Sequence, residues 1–100
     1  MYKLFYTEEA DRDLIAIYNY IAEDSPERAV QYLGKIENCV LQLQDFTNLG
    51  NGSRYAELNK LGIKMLPFED YLIFYTVNSG TETVNIIRIL HGSVNYRRLF

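Results

Sequence analysis

Residues 71–90 read YLIFYTVNSGTETVNIIRIL, and this stretch decides the fold. Two runs rich in β-branched and aromatic residues, Tyr71–Val77 and Val84–Leu90, flank a polar segment that contains Gly80. Such runs around a glycine-containing turn predict two strands of a hairpin. A third strand-like run, Ile63–Leu66, comes just before them, separated by a short turn sequence that begins with proline. Because these links are too short for a helical crossover, the C-terminal half predicts an antiparallel meander.

Two amphipathic helices precede the meander. Thr7, followed by two glutamates, has the signature of a helix N-cap, and Ser25-Pro26 has the signature of a second helix start. Apolar residues then recur at spacings of three and four in both segments, which is typical of an amphipathic helix. The stripes are Ala10, Leu14, Ile17, Tyr18 and Ile21 in the first helix, and Ala29, Leu33, Ile36, Val40 and Leu43 in the second. The short link between them predicts an antiparallel helical hairpin.

A first strand at Tyr2–Tyr6 completes the order β-α-α-β-β-β. This order predicts an α+β domain in which the helical hairpin packs on one face of an antiparallel sheet. Residues 48–60 are expected to form a loop with one helical turn. Alternation along the last strand would place Ile87 and Ile89 toward the helices and Arg88 on the opposite, uncovered face. We expect that uncovered face to be the working surface.

Length and composition indicate one ordinary globular domain spanning residues 1–100. The chain is 48% hydrophobic and 23% charged, and its single cysteine cannot form an internal disulfide. No run approaches the ~20 apolar residues of a membrane span, and the N-terminus lacks a signal-peptide stretch. We therefore expect a cytoplasmic protein without a membrane partner. The sequence has no obvious nucleophile, metal cluster or phosphate loop, so we expect neither a cofactor nor a metal.

Charge is distributed unevenly along the chain. The net charge is −3, but residues 1–50 carry four basic and nine acidic side chains, whereas residues 51–100 carry six and four. Residues 84–100 hold three arginines, the only histidine and no acid. We expect a local basic surface that faces an anionic group or an acidic partner segment, rather than a strongly basic nucleic-acid binder. The acidic cluster Glu8, Glu9, Asp11 and Asp13 is interpreted as a solvated helix start.

Four segments, taken in order, resemble the ParE branch of the RelE/ParE toxins of bacterial toxin–antitoxin pairs. They are Asp13–Glu23 with Pro26 and Ala29, then Phe46–Gly50, Tyr71–Tyr75 and Arg88–Gly92. Each segment alone is a weak signal, but all four at the family's spacing make a strong match. The resemblance implies a plasmid-stabilisation toxin, held inactive by a cognate antitoxin in a hetero-oligomer, with DNA gyrase as the target. It implies no direct sequence-specific nucleic-acid binding by the toxin alone.

The related RelE-type toxins share the fold but cut messenger RNA in the ribosomal A site. Metal-free RNA cleavage needs a group that activates the 2′-hydroxyl, cations that stabilise the phosphorane charge, and a proton donor. RelE-type enzymes place an arginine where this chain has Leu72, and another just after the glycine of Gly92-Ser93-Val94. A His-Tyr terminus, used by another nuclease subgroup, is replaced here by Leu99-Phe100. These differences favour a non-enzymatic gyrase inhibitor.

Two alternatives stay open. The first is a RelE-like ribosome-dependent mRNA endoribonuclease. The second is a decayed, non-toxic binding module, because Lys64 and Thr76 stand where many ParE-like chains carry arginine. Trapped, cleaved plasmid in a gyrase assay, transcript cleavage at codon boundaries, or full growth after induction without antitoxin would separate the three hypotheses.

No residue is assigned a catalytic role, and six are expected to bind the target or the antitoxin. They are Lys64, Arg88, His91, Tyr96, Arg97 and Arg98. For Arg88 the structural alternative is an ion pair with an acid across the sheet. For His91 the alternative to a general base is a strand-end histidine with a local hydrogen bond. For the tail it is a frayed terminus.

Overall fold

The fold is a helical hairpin packed on a five-stranded sheet, and the computed structural model describes residues 1–100. Its elements are β1 (Lys3–Tyr6), α1 (Glu8–Ala22), α2 (Pro26–Leu41), β2 (Asn51–Gly52), α3 (Ala56–Lys60), β3 (Lys64–Phe68), β4 (Tyr71–Asn78) and β5 (Thr83–His91), with 3₁₀ helices at Gln42–Gln44 and Tyr96–Leu99. Both predicted caps form: the Thr7 hydroxyl accepts from the Ala10 N–H at 3.1 Å, and the Ser25 hydroxyl from the Arg28 N–H at 3.3 Å. None of the helices has the length and apolar character needed to cross a bilayer.

The strand order in the sheet is β1-β5-β4-β3-β2. The antiparallel meander of β3, β4 and β5 is confirmed, and so is the α+β class. The first strand differs from the expectation, because β1 pairs with β5 in parallel, from Lys3 beside Thr83 to Tyr6 beside Ile86. Parallel neighbours need a long crossover, and the helical hairpin supplies it. The sheet is therefore mixed rather than purely antiparallel.

The main core lies between the helical hairpin and one face of the sheet. Both predicted helix stripes contribute to it, except that Tyr18 of the first stripe is half-buried and belongs to neither core cluster. The buried residues of this cluster are Ala10, Ile17, Ile36, Val40 and Leu43 from the helical segment, and Leu66, Ile73, Tyr75, Val84, Ile86 and Ile89 from the sheet. Burying an aliphatic side chain of this size contributes about 1.5–3 kcal/mol, so this cluster is the main source of stability.

The loop that follows the helical hairpin is held in place by hydrogen bonds to a buried tyrosine hydroxyl. The Tyr75 hydroxyl donates to the Thr47 carbonyl at 2.9 Å and accepts from the Gly50 N–H at 2.8 Å. A Cβ on residue 50 would lie 2.7 Å from that hydroxyl and 2.6 Å from the Met65 carbonyl oxygen. Only glycine therefore lets the loop come close enough to satisfy the buried hydroxyl, which would otherwise be left unpaired at a cost of about 1–3 kcal/mol.

A bulge in β5 changes which residues face the helices. Phe74 pairs with Arg88, and the next residue on β4, Tyr75, pairs with Ile86. Ile87 therefore has no partner and is an extra residue on β5. Ile86 and Ile89 belong to the main core, whereas Ile87 packs on the opposite face. The expectation that Ile87 faces the helices was wrong, because side chains do not alternate strictly across a bulge.

The face of the sheet opposite the helices, called the distal face below, is covered. A second cluster there buries Leu58, Ile63, Phe74 and Leu90, with Tyr96 packed against it. The helix α3 and the C-terminal 3₁₀ helix supply this cover. The expectation of an uncovered face was therefore wrong. The surface available to a partner on this side is the outside of α3 and the tail.

Candidate functional site at the C-terminal corner

The C-terminal tail folds back onto the distal face. The ring centroid of Tyr96 lies 5.0 Å from that of Phe74, and the ring of Phe100 packs on the same phenylalanine at 5.1 Å. Aromatic pairs at these distances contribute beyond their buried area. The alternative of a frayed terminus does not hold, and the packing gives Arg97 and Arg98 defined positions on the short helix Tyr96–Leu99.

Two arginines contact the ring of Tyr55, just before α3. The guanidinium carbon of Arg54 lies 5.1 Å from the ring centroid, and that of Arg97 lies 4.9 Å from it. Nη2 of Arg54 also donates to the Tyr55 hydroxyl at 3.1 Å, which raises the pKa of Arg54. Sequence reasoning missed both Arg54 and Tyr55, although an adjacent arginine and tyrosine in the basic half of the chain were an available signal. We call Arg54, Tyr55, Tyr96, Arg97 and Arg98 the basic corner.

Hydrogen bonds from Asn59 fix the loop that carries Arg54. The Asn59 Oδ1 accepts from the Ser53 N–H at 2.7 Å, and its Nδ2 donates to the Ser53 carbonyl at 2.6 Å. The Ser53 hydroxyl accepts from the Tyr55 N–H at 3.0 Å and lies 3.4 Å from the Tyr96 hydroxyl. The loop and the tail are therefore held together through Ser53, which is the only buried polar residue of the protein.

Glu57 is the acid that contacts the basic corner. Its Oε1 accepts from the Arg97 Nε at 2.6 Å. A hydrogen bond from its own backbone N–H, followed by the one from Arg97, holds the pKa of Glu57 below its usual value. Arg97 is therefore paired, whereas Arg54 and Arg98 form no ion pair. A cleft of about 380 Å³ lies between Arg54, Tyr55, Tyr96 and the loop 92–95.

Arg88 is ion-paired rather than free on the distal face. Its Nε and Nη2 donate to the two carboxylate oxygens of Asp13 on α1 at 2.9 and 3.0 Å, and the Ile89 N–H donates to the same carboxylate at 2.9 Å. The Asp13 side chain is only 13% exposed, so the expectation that it is solvated was wrong. Asp13, through its hydrogen bond, raises the pKa of Arg88. The pair joins α1 to the far end of β5.

His91 makes local contacts at the end of β5. Its Nδ1 accepts from the Ser93 N–H at 3.1 Å and lies 2.8 Å from the Ser93 hydroxyl, and its ring packs edge-on against Tyr71 at 5.5 Å. No carboxylate forms an ion pair with it. These contacts agree with a locally satisfied strand-end histidine, and a binding role for His91 stays a prediction.

Lys64 does not join the other predicted binding residues. It pairs with Tyr75 in the register of β3 and β4, and Tyr75 belongs to the main core. Since paired residues in a sheet share a face, Lys64 lies on the helix-facing side near the edge of the sheet. Of the six residues, the structure brings together only Tyr96, Arg97 and Arg98.

The basic corner is suited to binding anions. Guanidinium groups form strong, charge-assisted hydrogen bonds with carboxylates and phosphates. Its one neighbouring carboxylate, Glu57, is already held by Arg97, so no free base lies beside the cations. Leu72, where RelE-type enzymes have an arginine, packs in the distal cluster. The unpaired arginines of the corner can therefore form charge-assisted contacts with an anionic group.

Comparison with known proteins finds relatives that all come from toxin–antitoxin systems. A family model described as the ParE toxin of the type II toxin–antitoxin system parDE matches residues 4–96. Among solved structures, the chain is similar to the chromosomal ParDE TA system from P. aeruginosa, with 29% identity and a TM-score of 0.73 over 91% of this chain and 96% of that one. It is also similar in fold to the RelBE2 toxin–antitoxin complex from Mycobacterium tuberculosis, with 22% identity and a TM-score of 0.59 over 90% and 96%. No protein with a curated description matches.

Proposed function

The chain belongs to the ParE family of toxins from type II toxin–antitoxin systems, and we propose that it inhibits growth by poisoning DNA gyrase. In this proposal the protein acts in the cytoplasm by binding rather than by catalysis. A cognate antitoxin neutralises it within a hetero-oligomer, and the pair serves plasmid stabilisation.

The observation that carries the proposal is the anchored basic corner. Arg54 and Arg98 have no acidic partner in a chain whose net charge is −3, and aromatic packing fixes the elements that bear them. Arg54 is already restrained by its contacts with the ring and hydroxyl of Tyr55, so it loses less conformational entropy on binding than an unrestrained arginine would. We assign the contact with gyrase to this corner, with carboxylates of the target as the partners of Arg54 and Arg98.

The nuclease alternative lacks support from the site. Preorganised cations around a scissile phosphate are worth about 3 kcal/mol each in transition-state stabilisation. Leu72 cannot supply one, and Ser93 directs its hydroxyl to His91. His91, the candidate base, packs against Tyr71 and does not line the cleft that contains Arg54. The cations and the candidate base therefore do not converge on one point.

The experiment that tests the proposal measures gyrase poisoning directly. Purified protein is added to gyrase and plasmid, and both supercoiling and trapped, cleaved DNA are scored. We expect loss of supercoiling and accumulation of linear DNA, and we expect the cognate antitoxin to relieve both. A parallel translation reaction, with primer extension on the transcript, serves as the control for RNA cleavage. Cleavage at codon boundaries without linear DNA would replace our proposal with the ribosome-dependent nuclease, and no effect in either reaction would favour a non-toxic binding module.

A further inference from the structure

A second cleft, of opposite charge, lies on the helix-facing side of the sheet. It has a volume of about 270 Å³ and lies between the helical hairpin and the turn that joins β3 to β4. Three tyrosines and two acids line it, together with one arginine: Tyr20, Tyr32, Tyr71, Glu69, Asp70 and Arg28. We call this the tyrosine cleft. Nothing in the proposed gyrase contact uses it.

Three tyrosine rings line the cleft, and two of them pack against each other. The ring centroids of Tyr32 and Tyr71 lie 6.1 Å apart at an interplanar angle of 60°, and the ring centroid of Phe68 lies 5.7 Å from that of Tyr32. Tyr20 is 74% exposed, which leaves a large ring in solvent beside the other two. Burial and the neighbouring Glu69 raise the pKa of Tyr32 to about 12, so this hydroxyl remains neutral. Neutral tyrosine rings present negative π-faces, which attract cations.

The acidic side of the cleft includes a strained residue. Glu69 has a φ of 50°, in the left-handed region where glycine or asparagine is favoured. A residue held in this region costs of order 1 kcal/mol, as it does at Glu82 in the other turn. Asp70 follows directly, and its carbonyl accepts from the Gly92 N–H at 2.8 Å, which fixes the turn against the end of β5. The backbone of the turn thus holds Glu69 and Asp70, both exposed, beside the cleft.

Arg28, the cation of the lining, leaves these carboxylates free. Its Nη1 lies 3.5 Å from Asp24, four residues earlier at the start of α2, and neither Glu69 nor Asp70 forms an ion pair. The cleft therefore combines tyrosine rings with two carboxylates that form no ion pair, and its one arginine, Arg28, is paired with Asp24. That combination is complementary to a guanidinium or an ammonium group.

We propose that the tyrosine cleft receives an arginine or lysine side chain from the neutralising segment of the antitoxin. The proposal rests on the proposed function, because it takes the antitoxin as the partner. A segment of a polypeptide fits better than a free cation, since two further depressions share Tyr20 as a wall. One, of about 490 Å³, extends along Glu23 and Asp24, and the other, of about 210 Å³, extends toward His91. The residues of the antitoxin on either side of the inserted side chain would lie in these depressions.

The first test uses a defined probe and does not depend on toxicity. N-acetyl-arginine amide is titrated into the full-length protein, and the ring resonances of the tyrosines are followed by NMR. N-acetyl-citrulline amide, which has nearly the same shape without the charge, is the matched probe. We expect saturable shifts of Tyr20, Tyr32 and Tyr71 with the arginine probe, and binding at least about tenfold weaker with citrulline. Equal binding of the two probes, or shifts elsewhere on the protein, would overturn the proposal.

Matched variants locate the effect in the cleft. Glu69→Gln combined with Asp70→Asn removes the charge and keeps the shape, and we expect at least about fivefold weaker binding of the arginine probe. Glu82→Gln is the control, because Glu82 also has a φ of 50° but lies in the turn between β4 and β5. If the double variant does not fold, Tyr20→Leu serves instead, since that exposed ring contributes little to the core. Unchanged binding in a folded variant contradicts the proposal.

The antitoxin complex gives the second test. The dissociation constant of the antitoxin is measured for the wild-type toxin, the Glu69→Gln and Asp70→Asn double variant, and Glu82→Gln. We expect at least about fivefold weaker binding only for the double variant, with gyrase poisoning unchanged in the absence of antitoxin. Loss of poisoning in every protein would point to failure of the proposed function, whereas unchanged antitoxin affinity would remove the cleft from the interface.

Discussion

The basic corner and the tyrosine cleft lie on opposite faces of one sheet and carry opposite unpaired charge. Tyr55 and Tyr96 pack on the distal cluster, whereas Tyr32 and Tyr71 pack on the main core. The two regions are nevertheless bonded to each other, because the Gly92 N–H of the loop before the tail donates to the Asp70 carbonyl. The net charge of −3 describes neither region. The comparison shows that the kind of ligand each region can bind depends on the charges left unpaired on that face, and not on the net charge of the whole chain.

The largest effect on stability is expected at the ion pair between Asp13 and Arg88, which joins α1 to β5. The helix α1 carries Tyr20 of the tyrosine cleft, and β5 leads into the tail of the basic corner. Asp13→Ala should destabilise the protein by about 2–3 kcal/mol, because it leaves Arg88 half-buried without a partner and the Ile89 N–H unbonded. The measurement is the free energy of unfolding in urea.

Asp11→Ala is the matched control for that variant, since Asp11 is an exposed acid on the same helix. Its effect should be about 0.5 kcal/mol, from the helix dipole alone. Equal destabilisation by the two substitutions would show that the ion pair with Arg88 contributes nothing beyond the loss of a charge.

The next largest effect is expected from substitutions at Tyr96, which should disrupt the packing of the basic corner and leave the tyrosine cleft unchanged. Tyr96→Ala removes the aromatic contacts with Phe74 and Tyr55, and we expect a loss of about 1.5–2.5 kcal/mol in the free energy of unfolding. Tyr96→Phe keeps the ring and should cost about 0.5 kcal/mol or less, since the contact with Ser53 is long. Binding of the arginine probe should be the same in both variants. A change in probe binding would show that the two regions are coupled.

The smallest effect concerns the acid of the corner and depends on pH. Because Arg97 and a backbone N–H lower the pKa of folded Glu57, its contribution to stability is complete above the unfolded pKa and is lost as the pH falls through the folded value. The difference in Tm between the wild type and Glu57→Gln should therefore be largest near neutral pH and shrink in acid. A difference that grows in acid would contradict the ion pair with Arg97.

Much of the fold could be predicted from local patterns. The helix stripes, the Thr7 and Ser25 caps and the three-stranded meander depend on neighbours within a few residues, and each is observed. The parallel pairing of β1 could not be predicted, because it joins Lys3 to Thr83 across the whole helical hairpin. The bulge at Ile87 also left no local signal, and it reversed the expected facing of that residue.

The candidate site was only partly predictable. The acid-free stretch at the end of the chain indicated a basic surface and identified Tyr96, Arg97 and Arg98. Arg54 joins them through the packing of α3 on the distal face, which no periodicity revealed. Asp13 was hidden in an acidic run that looks solvated, and its partner Arg88 is 75 residues away. Ion pairs between residues so far apart in the sequence decide which charges stay unpaired, and the sequence alone does not reveal these pairs.

The most direct test of the account is gyrase poisoning by the Arg54→Ala, Arg98→Ala double variant. Arg12→Ala is the control, because Arg12 is exposed, unpaired and located on α1. We expect the wild type and Arg12→Ala to trap linear DNA at the same toxin concentration, and the double variant to require at least about tenfold more. Full activity of a folded double variant would contradict the assignment of the gyrase contact to the basic corner, and no linear DNA with the wild type would contradict gyrase as the target.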